Sequence, residues 1–139
     1  MTKPATPDAG AAGQPKSHPV SASHVVDQYL TAVYSGNFDQ ARPVVADGFS
    51  FQGPFLQVDG KEAFFEGAEG LKPIVRGHRL LRQWADGEEV CSWYEVNLET
   101  PAGSGQVLMS EWHTVRGGQL ISGRVVFDTG PFRAMVPEQ

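Results

Sequence analysis

The segment Glu88–Asp128, EEVCSWYEVNLETPAGSGQVLMSEWHTVRGGQLISGRVVFD, alternates between apolar and polar residues in three runs separated by two glycine-containing turns. The runs are Glu88–Thr100, Gln106–Arg116 and Gln119–Asp128. Period-2 alternation bounded by glycine and proline is typical of strands joined by tight turns. The segment is therefore predicted to form a three-stranded antiparallel meander.

One face of this meander carries an unusual number of polar side chains. Residues two apart in a strand point the same way, so Trp93, Glu95 and Asn97 share a face of the first strand. By the same rule, Glu111 and His113 share a face of the second strand. If these faces point inward, the interior holds two carboxylates, an amide and an imidazole, which a purely structural core does not need.

The register of the first strand decides whether that interpretation holds. A shift of one residue moves every side chain of a strand to the opposite face. In that case Glu95 and Asn97 point outward, and Tyr94 and Val96 take their places inside. The sequence alone leaves both alternatives open.

The residues before the meander predict helices that gather on one side of the sheet. The first predicted helix is capped by Ser21 or Ser23 and ends at Gly36, and one of its faces is apolar, with Val25, Val26, Tyr29, Leu30 and Val33. The elements that follow are a short helix from Phe38 to about Ala46, a strand Phe49–Gln52, a helix from Lys61 to about Leu71 and a long strand Ile74–Ala85. This order indicates an α+β fold, in which a curved, mostly antiparallel sheet wraps around a long N-terminal helix. Such a sheet forms a cone with a hydrophobic pocket at its mouth.

The ends of the chain differ in character from this body. Residues 1–19 are rich in Pro, Ala, Gly, Ser and Thr, a composition that predicts a disordered tail. Residues 20–139 are predicted to be a single domain, with Phe132 and Met135 folding back onto it.

Composition excludes several classes of function. The net charge is −5 and the basic residues are scattered, so no nucleic acid is expected as a partner. Cys91 is the only cysteine, and Glu111 with His113 gives too few ligands for a metal site. No apolar run approaches the roughly 18 residues of a membrane span, and no signal peptide is evident. The expected protein therefore works in the cytoplasm without a metal, cofactor or membrane.

Three segments resemble a known superfamily. They are YLTAVYSGNFD (Tyr29–Asp39), VADGFSFQGP (Val45–Pro54) and VRGGQLI (Val115–Ile121). Together they are similar to the nuclear transport factor 2-like superfamily, which includes ketosteroid isomerase, SnoaL-type polyketide cyclases and limonene epoxide hydrolase. The resemblance covers Ser23 to about Asp128 and implies the cone-shaped α+β fold.

The resemblance also implies a site. Ketosteroid isomerase holds an oxyanion with a tyrosine and a protonated acid, and these positions fall on Tyr29 and Glu111. Its catalytic base falls on Gly53, and the acid/base aspartate of the cyclases falls on Val125. Both positions therefore lack their carboxylate, and His113 or Glu95 is expected to move the proton instead.

The resemblance favours an enzyme that isomerises, cyclises or dehydrates an apolar or polyketide-like carbonyl compound. The alternative is a non-catalytic ligand-binding or dimeric accessory module of the same fold. The ligand is expected to contact Trp93, Asn97, Phe51, Phe64, Val125 and Phe127. Related folds commonly pair through the outer face of the sheet, and the strand with Leu80, Leu81 and Trp84 is a suitable seam for a homodimer.

Overall fold

The computed structural model describes residues 21–135. The predicted tail 1–19, residue 20 and residues 136–139 lie outside this range, as does the side chain of Met135. The helices are α1 (Ala22–Tyr34), α2 (Phe38–Ala41), α3 (Lys61–Ala68) and α4 (Thr129–Met135), with 3-10 turns at Arg42–Val44 and Glu69–Leu71. The strands are β1 (Val45–Gln52), β2 (Gln57–Asp59), β3 (Val75–Asp86), β4 (Glu89–Thr100), β5 (Gly103–Arg116) and β6 (Gln119–Phe127).

The described strands form one six-stranded sheet in the order β2-β1-β6-β5-β4-β3. The meander β4–β5–β6 is antiparallel, as predicted, and β1 joins β6 as the parallel pair of the sheet. A parallel pair needs a long crossover connection, and β2, α3, β3, β4 and β5 provide it between these two strands. The predicted α+β class with a curved, mostly antiparallel sheet is thus confirmed.

Helix α1 is the element around which the sheet packs. Ser21 begins it, because its hydroxyl accepts a hydrogen bond from the backbone N–H of His24 at 3.2 Å. The predicted apolar face is buried against the sheet and consists of Val25, Val26, Tyr29, Leu30 and Val33, with Ala32 beside it. This face packs against strands β3, β4, β5 and β6.

The structure differs from the predicted boundaries where local turns interrupt helices. The second helix ends at Ala41 rather than Ala46, because Pro43 lies in a 3-10 turn and Val45 already begins β1. Strand β2 was not predicted, since three residues carry too little alternation to be recognised. Helix α4 lies in the segment predicted as a tail, and its Phe132 is buried against the body as expected.

Large apolar side chains are exposed on the outer face of the sheet. Across the paired strands, Trp84 and Trp112 flank Cys91, while Trp93 and Val126 flank Ser110. These four residues, with Leu108, form what we call the outer patch; Val126 is 66% exposed. Contiguous exposed apolar surface of this kind marks an interaction site more often than scattered residues do.

We propose that the outer patch pairs with the same patch of a second chain. Wild-type protein should then sediment at twice the 15.1 kDa chain mass at micromolar concentration. Val126→Glu should weaken association about tenfold or more, because it buries an unpaired carboxylate at the seam. Thr31→Glu, which adds the same charge on the exposed side of α1, should leave the dimer intact. A wild-type protein that sediments only as a monomer contradicts the proposal.

Candidate functional site

A cavity of about 670 Å³ opens between the inner face of the sheet and helices α1, α3 and α4. Most of its lining is aliphatic or aromatic. Among the described residues, the polar side chains that line it are Tyr29, Tyr34, Glu111 and Arg133. A largely apolar cavity of this size with a few convergent polar groups is typical of small-molecule sites.

Glu111 lies on the inner face of β5 and is 2% exposed. The hydroxyl of Tyr94 donates a hydrogen bond of 2.5 Å to its Oε1. The hydroxyl of Tyr34 lies 3.0 Å from that of Tyr94 and 3.6 Å from the sulfur of Met109. Since Tyr94 uses its proton on the carboxylate, Tyr34 donates to Tyr94. The three residues form a tyrosine–glutamate chain that ends at the cavity.

His113 lies behind Glu111 and does not line the cavity. It is 0% exposed, and its Nε2 is 3.0 Å from Oε2 of Glu111. The contact is close, but the ring N–H is not aligned with this oxygen for a hydrogen bond, and neither ring nitrogen has another partner within residues 21–135. We therefore interpret it as an electrostatic contact. The imidazole is held in place by packing, with the ring of Tyr29 edge-on at 5.2 Å.

Tyr29 is the tyrosine with a free hydroxyl in this site. It lines the cavity from α1, and its hydroxyl forms no hydrogen bond to another residue of the described chain. Its ring is fixed between Phe49, Phe64 and His113 at centroid distances of 6.2, 6.0 and 5.2 Å. A rigid phenol with an unused proton is a ready hydrogen-bond donor for a bound molecule.

All three tyrosines of the chain belong to this site, and burial favours the neutral form of each. Burial raises the pKa of Tyr29 and Tyr94 well above the ordinary value for a phenol, and the nearby charge of Glu111 adds to the shift. The pKa of Tyr34 is raised for the same two reasons, partly offset by its hydrogen bond to Tyr94. At neutral pH the cluster therefore supplies protonated phenols.

The structure corrects the prediction that Trp93, Glu95 and Asn97 face the interior. The side chains of strand β4 that point inward are those of Val90, Ser92, Tyr94, Val96 and Leu98. This is the second of the two registers that the sequence left open. Trp93 is 41% exposed, Glu95 pairs with Arg79 at 2.8 Å, and Asn97 accepts a hydrogen bond from Gln106. The inward-facing set is the more apolar of the two, and its burial decided the register of the strand.

The other predicted residues lie at or beside the cavity. Phe51, Phe64, Val125 and Phe127 line it together with Tyr29 and Glu111. His113 contacts Glu111 but not the cavity, and the prediction that these residues bind a ligand or act in catalysis stays a prediction. Sequence reasoning missed Tyr34, Tyr94 and Arg133. A one-residue shift of the first meander strand, the alternative that the sequence left open, already placed Tyr94 inside. Nothing in the sequence pointed to Tyr34 or Arg133.

The described residues contain no group of three or more His, Cys, Asp or Glu side chains placed to hold a metal ion. Within the same range, no helix is long and apolar enough to cross a membrane.

Comparison with known proteins identifies a family. The model of the SnoaL-like domain matches residues 26–123, and no curated protein matches the chain. An NTF2-like protein of unknown function from Cytophaga hutchinsonii is 21% identical, covers 84% of this chain and 98% of its own, and superimposes with a TM-score of 0.71. The predicted resemblance to the nuclear transport factor 2-like fold is thereby confirmed.

Two further solved structures carry functional names. An LEH-like epoxide hydrolase from M. tuberculosis is 20% identical over 83% of this chain and 89% of its own, with a TM-score of 0.70. A proposed polyketide cyclase from Xanthomonas campestris pv. campestris is 18% identical over 83% and 96%, with a TM-score of 0.70. At these identities the likeness shows the fold alone.

The raised pKa values of the tyrosines predict how stability depends on pH. Above about pH 10 the unfolded chain loses phenolic protons that the folded chain keeps, so the free energy of unfolding should fall as the pH rises. Ultraviolet titration should show the tyrosines ionising together with alkaline unfolding, followed by circular dichroism. A tyrosine that ionises near pH 10 while the protein is still folded contradicts this.

Gly123 on β6 leaves the space that His113 occupies. A Cβ atom at this position would lie 3.0 Å from Cδ2 of His113 and 3.3 Å from Cζ of Phe49, and both rings are fully buried. Gly123→Ala should therefore lower the free energy of unfolding by about 1–3 kcal/mol in urea titrations. Gly48→Ala in β1, where no atom lies within 4 Å of the added Cβ, is the matched control. Equal stability of the two variants would show that the histidine is loosely held.

Proposed function

This chain belongs to the SnoaL-like domain family, and on that premise we propose that it is a small enzyme that moves a proton on an apolar carbonyl compound. The reaction would be an isomerisation, cyclisation or dehydration through an enolate, with every acid–base group supplied by the chain. The proposal rests on one observation: of the described residues that line the cavity, Glu111 alone carries a carboxyl group, and it lies close to Tyr29.

In this proposal Glu111 is the base. Its carboxylate removes a proton from the carbon next to the substrate carbonyl, and the electrons of the C–H bond form the C=C bond of the enolate. Returning the proton to another carbon shifts a double bond and restores the carboxylate. A positioned carboxylate of this kind accelerates proton transfer by about 10² to 10⁴.

Tyr29 would stabilise the charge that develops on the carbonyl oxygen. Its hydroxyl has no partner within residues 21–135, so no internal hydrogen bond must break before it donates to the substrate. Its raised pKa keeps the proton on the phenol throughout neutral pH. A preorganised donor aimed at a developing oxyanion contributes a factor of about 10² to 10³.

Tyr94 and His113 would act through Glu111. The hydrogen bond from Tyr94 fixes Oε1 and leaves Oε2, beside His113, as the oxygen with spare acceptor capacity. Neither residue lines the cavity, so both are positioning residues in this scheme. The roles expected of His113 and Glu95 as bases thus pass to Glu111, because His113 has no access to the cavity and Glu95 lies on the outer face.

The two acid positions implied by the family resemblance support the same assignment. A Cβ atom on Gly53 would lie 2.8 Å from Cγ1 of Val125, so these positions adjoin each other and are filled by an apolar contact. A carboxylate at Gly53 would have no room beside Val125. Proton transfer must therefore use another cavity-lining residue, and Glu111 lies directly across from Val125 on the neighbouring strand.

The close approach of Gly53 and Val125, which leaves both positions without a carboxylate, also favours a second candidate function, a ligand-binding module that catalyses no reaction. In that case Tyr29 and Glu111 only orient a bound carbonyl compound. The two functions differ in whether a bound ligand is converted.

The enzymatic proposal is tested with a panel of apolar β,γ-unsaturated ketones, by following the absorbance of the conjugated product. Glu111→Gln should lower kcat by about 10² to 10⁴, and Tyr29→Phe by about 10² to 10³. Glu95→Gln removes a carboxylate of the outer face and should turn over like the parent.

Binding of the same ketones is measured in parallel by calorimetry. Ketones that bind without conversion, or unchanged rates in both Glu111→Gln and Tyr29→Phe, contradict the enzymatic proposal. Binding without conversion supports the ligand-binding module.

A further inference from the structure

Arg133 is the cationic side chain that lines the cavity within the described chain. Helix α4 holds it there, because the neighbouring Phe132 is buried against the rings of Phe55 and Phe127 at 5.3 and 5.7 Å. Arg133 itself is exposed, whereas Glu111 is buried, so the cation lies at the mouth of the cavity and the carboxylate at its inner end.

The guanidinium of Arg133 has unused hydrogen-bonding capacity. Its Nε donates to the hydroxyl of Thr129 at 3.3 Å, and its Cζ lies 5.3 Å from the ring centroid of Phe55. No carboxylate of residues 21–135 forms an ion pair with it, and the nearby Asp128 accepts a hydrogen bond from the backbone of Gly130 instead. Several cations elsewhere on the described surface do pair with acids, among them Arg42, Lys72, Arg76, Arg79 and Arg116.

We propose that Arg133 binds a carboxylate of the ligand at the cavity mouth, so that the substrate class is an apolar carbonyl compound with an acidic end. This inference rests on the proposed function, since it assigns the other end of the molecule to Tyr29 and Glu111. The planar guanidinium offers paired N–H donors that match a carboxylate. The apolar wall between the two ends accommodates the body of the ligand.

Charge also sets the direction in which such a ligand enters. A carboxylate is repelled by Glu111 at the inner end and attracted by Arg133 at the mouth, so the carbonyl end must go in first. The chain as a whole carries a net charge of −5, and its overall field does not attract anions. A specific cation at the entrance is therefore required for an acidic ligand.

The test measures binding alone, with decanoate and 1-decanol as probes of equal chain length. Wild-type protein should bind decanoate more tightly than decanol in calorimetry at neutral pH. Arg133→Gln should weaken decanoate binding about tenfold or more and change decanol binding less than about twofold. Arg116→Gln removes the same charge from the exposed hairpin between β5 and β6 and should change neither affinity.

Three results would overturn the proposal: equal or tighter binding of decanol by the wild type, equal effects of Arg133→Gln on both probes, or no binding of either probe. None of these bears on catalysis, because neither probe is a substrate for enolisation. Failure of the proposed function would appear instead as ketones that bind to the wild type without conversion. The two failures are therefore distinguishable.

Discussion

The site depends on the hydrogen bond that Tyr94 donates to Glu111. A carboxylate that is nine-tenths buried or more is unstable without a partner, because removing it from water costs several kcal/mol. Here the partner comes from the neighbouring strand, and a second hydroxyl, that of Tyr34, extends the hydrogen-bonded chain to helix α1. This bond allows an acid to face an apolar cavity while the sheet and the helix stay packed.

The same bond links the pairing of strands to the chemistry of the cavity. Strands β4 and β5 pair so that Tyr94 lies opposite Met109, and Glu111 opposite Ser92. The two side chains therefore meet diagonally across the inner face, a distance that a long tyrosine spans. Small residues complete the arrangement, since Gly123 gives room for His113 and Gly53 gives room for Val125.

The two faces of the sheet differ in the side chains that they carry. The inner face carries the cavity with its tyrosines and its carboxylate, and the outer face carries the exposed tryptophans and paired surface charges. A residue reaches one face or the other through strand parity alone. A polar residue such as Glu95 therefore has no part in the cavity although it is a sequence neighbour of Tyr94.

The sequence by itself determined the meander, the apolar face of α1 and the α+β class, because these follow from local periodicity and from turn residues. It also identified Tyr29 and Glu111, through their resemblance to family positions. Only the tertiary structure decided that Tyr94 faces inward instead of Trp93 and Glu95, since burial energy over the whole strand fixes the register. Likewise, Tyr34 and Arg133 reach the cavity only because α1 and α4 pack against the sheet, and no local pattern encodes such contacts between distant segments.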